Sequence, residues 1–241
     1  MAHPTEKKHV VFDIEGTVVS HHRVFQALEE RLGPALQDAG IKPSLLGYTW
    51  FEVAEREYTY CGMSGNYVPF TKVFRAVFFR ILWMAGITKP REFASEADLD
   101  FLMDAYASLE PRPGAKQCIQ HLRDSGYTVW AFTAGDPKQV HGYFVKAGID
   151  MDVDHVLASD TYGVPKPALE PYRALLSNEL AGADEVWFAA AHMWDVSAAR
   201  RAGFRGAFCT VFENEPLYDI FGDMDVVEDT LEEMARAITA H

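Results

Sequence analysis

Two carboxylates stand directly after an apolar, β-branched run near the start of the chain. Residues 10–12 are followed by Asp13, and Glu15, Gly16 and Thr17 come next. A parallel strand buried on both faces has this composition, and open α/β sheets present reactive groups at the carboxyl ends of such strands. Asp13 is therefore a candidate nucleophile, since a carboxylate can attack carbon or phosphorus to form an ester that water hydrolyses. Taken alone, the pattern also fits an aspartate that caps a turn.

Three more side chains that could take part in catalysis occur later in the chain, at or after segments with the composition of strands. Thr133 ends the apolar run 127–132, Lys166 lies in a loop between two prolines, and Asp195 follows the run 187–191. A lysine near a carboxylate keeps it ionised and offsets negative charge on a substrate. The hydroxyl of Thr133 is predicted to hold an oxygen of the nucleophile or of the substrate. Asp195 is predicted to fix the lysine or to activate water, and it also fits a helix N-cap.

The order carboxylate, hydroxyl, lysine, carboxylate resembles the haloacid dehalogenase superfamily, whose four motifs occur in that order around an aspartate nucleophile. The resemblance extends over nearly the whole chain. It implies a hydrolase in which Asp13 attacks a small substrate, while Thr133 and Lys166 set the electrostatics of the site. It also implies that Asp195 acts on the water that completes the reaction.

The bulk properties fit a water-soluble enzyme acting on a small molecule. The 241 residues carry a net charge of −13, which argues against nucleic acid or an anionic membrane as partner. The three cysteines match no zinc pattern and suit a reducing compartment, and no signal segment opens the chain. A cytoplasmic protein is expected. The sequence leaves open whether two copies form a homodimer.

The pattern of helices and strands predicts an α/β fold, namely a Rossmann-like parallel sheet core with an inserted helical cap. Residues 20–109 show helical periodicity, and their aromatic residues, Trp83 included, favour a helical interior. From residue 114 short apolar strands alternate with helices, as in right-handed βαβ units. The predicted core therefore comprises residues 1–19 and 110–241, and the predicted cap comprises residues 20–109.

Several segments resemble the L-2-haloacid dehalogenase branch of the superfamily. The segment 48–50, the tyrosine six residues after Lys166, and the Trp-Asp pair at 194–195 fit the spacing of those enzymes. By this resemblance position 42 replaces an arginine that contacts the departing halide, and position 134 replaces an asparagine. The residues predicted to bind substrate are Thr17, Lys42, Tyr48, Trp50, Ala134, Tyr172 and Trp194.

The resemblance to this branch also implies that the enzyme needs no metal ion. Phosphatases of the superfamily generally carry a further acid four residues before the position of Asp195, where it binds Mg²⁺, and that position here is Ala191. Losing a hard oxygen ligand weakens a magnesium site. No cofactor and no metal ligand are therefore predicted.

Two residues depart from the dehalogenase pattern and keep other functions open. Glu15 stands where phosphatases place their general acid, which favours a Mg²⁺-dependent phosphatase as the alternative. His192 replaces an asparagine and is predicted to help activate water, since imidazole titrates near neutral pH; a histidine packed at a strand end fits equally well. A biosynthetic enzyme using Asp13 and Glu15 as acid and base, and a non-catalytic binding protein, are the remaining alternatives.

Overall fold

The chain divides into two units in a computed structural model that describes residues 7–162 and 164–241. One unit contains the described part of Met1–Val19 together with Pro111–His241, and the other is the continuous segment Ser20–Glu110. Residues 1–6, which sequence analysis assigns to the core, and residue 163, in the loop before Lys166, lie outside the described residues. None of the described helices is long and apolar enough to cross a bilayer.

Strands of the first unit form a parallel sheet. The described strands are β1 (Lys8–Phe12), β2 (Val19–Ser20), β3 (Glu110–Pro111), β4 (Tyr127–Thr133), β5 (Val156–Ala158), β6 (Glu185–Ala190), β7 (Arg205–Cys209) and β8 (Val226–Glu228). Six of these described strands form one sheet in the order β5-β4-β1-β6-β7-β8, with every pair parallel. Strands β2 and β3 form a separate two-stranded sheet where the chain passes from one unit to the other.

Helices connect these strands and make up the second unit. Those of the second unit are α1 (His22–Asp38), α2 (Pro43–Met63), α3 (Phe70–Met84), α4 (Pro90–Phe93) and α5 (Glu96–Tyr106). Those of the first unit are α6 (Ala115–Asp124), α7 (Pro137–Lys146), α8 (Leu169–Asn178), α9 (Met193–Ala202), α10 (Tyr218–Phe221) and α11 (Leu231–Ala240).

Strand β1 lies at the centre of the sheet, where the strand order reverses. Its residue Phe12 pairs with Ala131 of β4 on one side and with Ala189 of β6 on the other. The chain adds β4 and β5 on the first side and then returns to add β6 on the second. Ligands of open α/β sheets bind outside the carboxyl ends of the strands at such a switch point. Asp13, the residue after β1, stands there.

Aromatic side chains pack closely beside the central strands of the sheet. Phe132, Tyr172 and Phe188 are buried and meet edge to face, with ring centroids 5.5–6.4 Å apart. Edge-to-face pairs of this kind add to the free energy that burial supplies. This cluster supports the ends of β4 and β6 and the start of α8, so the polar groups at those ends have a rigid base.

The second unit buries about half of its aromatic side chains, seven of fifteen. The Trp50 indole stacks on Phe74 at 4.0 Å between ring centroids, and its Nε1–H donates to the Phe74 carbonyl at 2.7 Å. Phe78 packs 4.9 Å from Trp50, and Tyr58 is buried as well. Trp83 was expected in this interior and is instead 64% exposed. It lies in the last turn of α3, on a side of that helix that no described neighbour covers.

Candidate active site

Asp13 is held by three side chains at the switch point of the sheet. Lys166 Nζ donates to its Oδ1 at 3.0 Å, the Thr17 hydroxyl donates to its Oδ2 at 2.7 Å, and His192 Nδ1 lies 3.2 Å from the same Oδ2. The backbone N–H of Asp13 donates to the Ala189 carbonyl of β6 at 3.0 Å. The carboxylate is only 6% exposed. Both of its oxygens are thus oriented before any substrate arrives.

The charges around Asp13 favour its ionised form. Burial alone raises the pKa of this carboxyl, but the Lys166 cation and the hydrogen bonds from His192 and Thr17 outweigh burial, so its pKa lies well below the usual range. Burial lowers the pKa of Lys166, and the nearby carboxylates of Asp13 and Asp195 reverse that effect and raise it. The pair is therefore a carboxylate and an ammonium ion at neutral pH.

Lys166 joins the two aspartates predicted to act together. Its Nζ donates to Asp195 Oδ2 at 2.8 Å and to the Phe132 carbonyl at 2.8 Å, besides its bond to Asp13. All three donors of the ammonium group are used. The side chain is 3% exposed and lies over the rings of Phe132 and Phe188. The lysine is thus a fixed cation inside the site.

Asp195 is fully buried, in the first turn of α9. Its Oδ2 accepts from Lys166, and its Oδ1 accepts a short hydrogen bond from the Tyr172 hydroxyl. Burial raises the pKa of this carboxyl, while Lys166 opposes the rise. The structure gives Tyr172 this bond to Asp195, and its contact with substrate stays a prediction. Because both carboxylate oxygens are engaged and unexposed, Asp195 orients the lysine in the described arrangement.

Thr133 bonds to Glu15, whereas the sequence predicted a bond to Asp13 or to substrate. Its hydroxyl donates to Glu15 Oε2 at 2.6 Å and accepts from the Gly135 N–H at 2.7 Å. The hydroxyl that reaches Asp13 belongs to Thr17. Both threonines lie at the carboxyl edge of the sheet, but only side-chain direction decides which carboxylate each one meets.

Glu15 carries a carboxyl group that holds its proton near neutral pH. Burial raises its pKa, the Thr133 hydrogen bond lowers it, and the negative charge of Asp13 raises it further, to about 7. Its Oε1 is buried and has no hydrogen-bond partner among the described residues. Two carboxyls two residues apart thus have opposite pKa shifts, which is the usual sign of different roles.

Arg112 fixes the turn that carries these carboxylates, and sequence analysis missed it. Its Nε donates to the Thr17 carbonyl at 3.0 Å and its Nη2 donates to the Gly16 carbonyl at 2.8 Å. The Thr17 hydroxyl also accepts from the Ala191 N–H at 2.8 Å, which turns its own proton toward Asp13. An arginine just before Pro113 gives no signal in the sequence, because its acceptors are backbone carbonyls nearly a hundred positions away.

His192 stands at the start of α9 and is 3% exposed. Its ring packs against Trp194 at 5.4 Å and against Phe212 at 5.1 Å between centroids. The first N–H of the helix, at Met193, is accepted by Glu213 at 2.8 Å rather than by the His192 side chain. Glu213 therefore caps α9 from the loop after β7, and sequence analysis did not single it out. Trp194 remains a predicted substrate contact.

The remaining predicted substrate contacts lie in different settings. Ala134 is half-buried beside Thr133. In the helical unit Lys42 is exposed as the residue before α2, and Tyr48 is 43% exposed. Trp50 is fully buried, with its indole N–H engaged by a backbone carbonyl. Substrate contact by any of these four stays a prediction, and Trp50 would first have to leave its packed position.

The donor set does not fit a magnesium site of the phosphatase kind. Both Asp13 oxygens already accept from side-chain donors or lie against His192, and position 191 offers only an alanine methyl group. Mg²⁺ requires several oxygen ligands in near-octahedral geometry. No group of three or more His, Cys, Asp or Glu side chains suited to a metal ion occurs within residues 7–162 and 164–241.

A family profile described as haloacid dehalogenase-like hydrolase matches residues 7–203 of the sequence. The chain belongs to this family. The predicted superfamily, the α/β Rossmann-like fold and the assignment as a hydrolase are thereby confirmed, since solved structures of the family carry the same fold.

The similar proteins are mostly dehalogenases. (S)-2-haloacid dehalogenase H-109 of Pseudomonas putida is 24% identical over 216 residues, covering 88% of this chain and 89% of that protein. Haloacetate dehalogenase H-2 of Moraxella sp. (strain B) is 22% identical and covers 81% of this chain and 82% of its own length. The structure of L-2-haloacid dehalogenase from Xanthobacter autotrophicus superposes with a TM-score of 0.77 at 22% identity, over 96% of this chain and 98% of that one.

Proposed function

We propose that this hydrolase removes a halide from a small organic acid without a metal ion, through an ester formed on Asp13. One oxygen of the carboxylate attacks the carbon that bears the halogen, the carbon–halogen bond breaks, and the halide leaves with the bonding electron pair. Water then attacks the ester carbonyl and releases a hydroxy acid. The observation that carries the proposal is an Asp13 carboxylate kept ionised and oriented by Lys166, Thr17 and His192. The names of the similar dehalogenases support the leaving group.

Lys166 and Thr17 serve the first step. A carboxylate attacks only when ionised, and the ammonium ion 3.0 Å from Oδ1 keeps Asp13 in that state. The same fixed cation offsets the negative charges of Asp13 and Asp195, which would otherwise repel an anionic acid from a protein with a net charge of −13. The Thr17 hydroxyl, turned toward Asp13 by the Ala191 N–H, restricts rotation of the carboxylate. Preorganisation of this kind is a main source of rate enhancement in enzymes.

His192 serves the second step as the base that takes a proton from water. Its imidazole lies 3.2 Å from Asp13 Oδ2, so it borders the carbonyl that water must attack once the ester has formed. Asp195 has both oxygens bonded, to Lys166 and Tyr172, and thus leaves this proton to the imidazole. We expect His192→Asn to slow hydrolysis of the ester by about 10²–10⁴-fold, the usual contribution of a general base.

Halide release separates this function from its main rival. The purified protein is given (S)-2-chloropropionate and, in parallel, a generic aryl phosphate, each with Mg²⁺ and with EDTA. We expect halide release that EDTA leaves unchanged and that Asp13→Asn abolishes, with His192→Asn accumulating a covalent adduct detectable by mass. A carboxamide retains the shape of Asp13 but is a poor nucleophile, so Asp13→Asn is the matched control.

Other outcomes would support the alternatives. Phosphate release that EDTA abolishes would favour the phosphatase, which the raised pKa of the Glu15 carboxyl supports. Ligand binding that survives in Asp13→Asn without turnover of any substrate would favour a binding protein. Absence of turnover with both substrates would favour a biosynthetic enzyme that uses Asp13 and Glu15 as acid and base. That the segment Ser20–Glu110 acts as a cap also stays a proposal. Weaker inhibition of turnover by bromide in Lys42→Met than in wild type would support it.

A further inference from the structure

A directed set of hydrogen bonds fixes the position of the proton on Glu15. The Gly135 N–H can only donate, and it donates to Thr133 Oγ1 at 2.7 Å. The Thr133 hydroxyl in turn donates to Glu15 Oε2 at 2.6 Å, which makes Oε2 an acceptor in this arrangement. Oε1 is then the oxygen that is left to carry the proton of the neutral carboxyl. This atom is buried and bonds to none of the described residues.

The space around this oxygen depends on a glycine. A Cβ atom added at Gly135 would lie 2.5 Å from Glu15 Oε1 and 3.1 Å from Thr133 Oγ1, the first distance being closer than real contacts allow. The carboxyl oxygen therefore rests directly against the Gly135 backbone. A larger residue at position 135 would displace the carboxyl from its present orientation.

The charges that face Glu15 come from every neighbouring element. Asp13 follows β1 and its negative charge raises the pKa of Glu15, while the positive charge of Lys166, which precedes α8, lowers that pKa by less. Tyr143 of α7 senses the Glu15 charge, which raises the pKa of that phenol beyond the effect of its burial. Ionising Glu15 would therefore give this region an additional negative charge. An anionic substrate would be repelled by that charge.

We propose that Glu15 is a substrate-binding residue whose neutral carboxyl donates a hydrogen bond from Oε1 to the carboxylate of the substrate. This inference rests on the proposed function for the class of substrate, an organic acid anion. A bond from a neutral acid to a carboxylate is charge-assisted and is stronger than a bond between neutral groups. Glu15 thus provides the contact with the substrate carboxylate, because the Thr133 hydroxyl already donates to Glu15. Halide needs no proton to depart, so Glu15 transfers none.

Glutamine is the decisive substitution, because it imitates the neutral acid and cannot ionise. In Glu15→Gln the amide oxygen accepts from Thr133 and the amide N–H takes the place of the Oε1 proton. The probe is propionate, an unreactive organic acid, and its dissociation constant is measured by calorimetry between pH 6 and 9. We expect the wild-type affinity to fall above pH ~7, approaching a tenfold loss per pH unit. The affinity of Glu15→Gln should remain constant over the same range.

Two further variants serve as controls. Glu170→Gln removes an exposed carboxylate in the first turn of α8 and should follow the wild-type pH profile. Gly135→Ala should weaken propionate binding at every pH, because the new methyl group displaces Glu15 Oε1. The difference between wild type and Glu15→Gln isolates the contribution of Glu15 from that of every other titratable group.

The outcomes separate this inference from the proposed function. Equal pH slopes in wild type and Glu15→Gln would overturn the inference even where halide release is normal. Loss of turnover in Glu15→Gln with unchanged propionate binding would also overturn it and would make Glu15 a general acid. Absence of halide release from wild type would overturn the proposed function alone, since propionate binding is measured without turnover.

Discussion

Replacing Lys166 with methionine tests the electrostatic basis of the site. The side chain is 3% exposed, and its ammonium group lies 3.0 Å from Asp13 Oδ1 and 2.8 Å from Asp195 Oδ2. Methionine has a similar length and fills the same space, so the main change is the loss of one buried charge. Removing one partner from a buried ion pair costs about 3–5 kcal/mol, because the remaining charge is left buried without compensation. Here two carboxylates lose the same partner, so we expect a loss at the upper end of that range at pH 7.

The loss should depend on pH in a definite direction. In wild type the pKa of Asp13 is below its unfolded value, so its stabilising contribution is present above pH ~4 and is lost as pH falls through the folded pKa. Without Lys166, the pKa of the buried Asp195 carboxyl rises further, because that cation opposes the effect of burial, and stability is then lost as pH rises through the carboxyl range. The difference between wild type and Lys166→Met should therefore grow from pH 4.5 to pH 7, by about 1.4 kcal/mol for each unit of pKa change.

Urea denaturation at the two pH values measures this difference. The matched control is Lys8→Met, since Lys8 forms a partly exposed 3.7 Å ion pair with Glu185 that should contribute less than about 1 kcal/mol. An equal loss at pH 4.5 and pH 7, or a loss no larger than that of Lys8→Met, would refute the reasoning.

Two further predictions follow from the turn after β1. Glu15 has its pKa raised to about 7, so its favourable contribution to folding is complete below its ordinary value and is lost as pH rises toward 7. Glu15→Gln should therefore gain stability relative to wild type between pH 4.5 and 7 in urea denaturation, and a constant difference would contradict the raised pKa. Arg112→Lys can donate to only one of the Gly16 and Thr17 carbonyls in the same geometry, and we expect a loss of about 1–3 kcal/mol. Thermal unfolding measures this loss of stability. An unchanged midpoint would show that the two Arg112 hydrogen bonds do not stabilise the turn.

The sheet was largely predictable, because its strands are long enough to give an apolar signal. The apolar run 127–132 lacks only the last residue of β4 (Tyr127–Thr133), and the run 187–191 overlaps β6 (Glu185–Ala190). Strand β8 (Val226–Glu228) has only three residues, and so short a run gives no distinctive pattern.

The candidate site was predictable in its membership and only partly in its bonds. Asp13, Lys166 and Asp195 each follow a strand, and the carboxyl ends of parallel strands meet at one edge, so their proximity could be inferred. Which hydroxyl reaches Asp13 depends on side-chain rotamers, and Thr17 rather than Thr133 does so. The sequence pattern carries no information about that choice.

Two residues that the sequence did not indicate act through backbone groups. Arg112 donates to the carbonyls of the turn after β1, and Glu213 accepts from the first N–H of α9. Every residue offers the same backbone groups, so these contacts place no requirement on the partner's identity. Only the three-dimensional arrangement identifies such residues.

The origin of the oxygen atom in the first product shows whether Asp13 forms an ester with the substrate. An excess of protein is mixed with (S)-2-chloropropionate in water labelled with a heavy oxygen isotope, so that each molecule reacts at most once. We expect the first lactate released to carry unlabelled oxygen from Asp13, and the peptide containing Asp13 to gain the label when water hydrolyses the ester. Labelled lactate together with an unlabelled Asp13 peptide would exclude the ester, because water would then have attacked the substrate carbon directly.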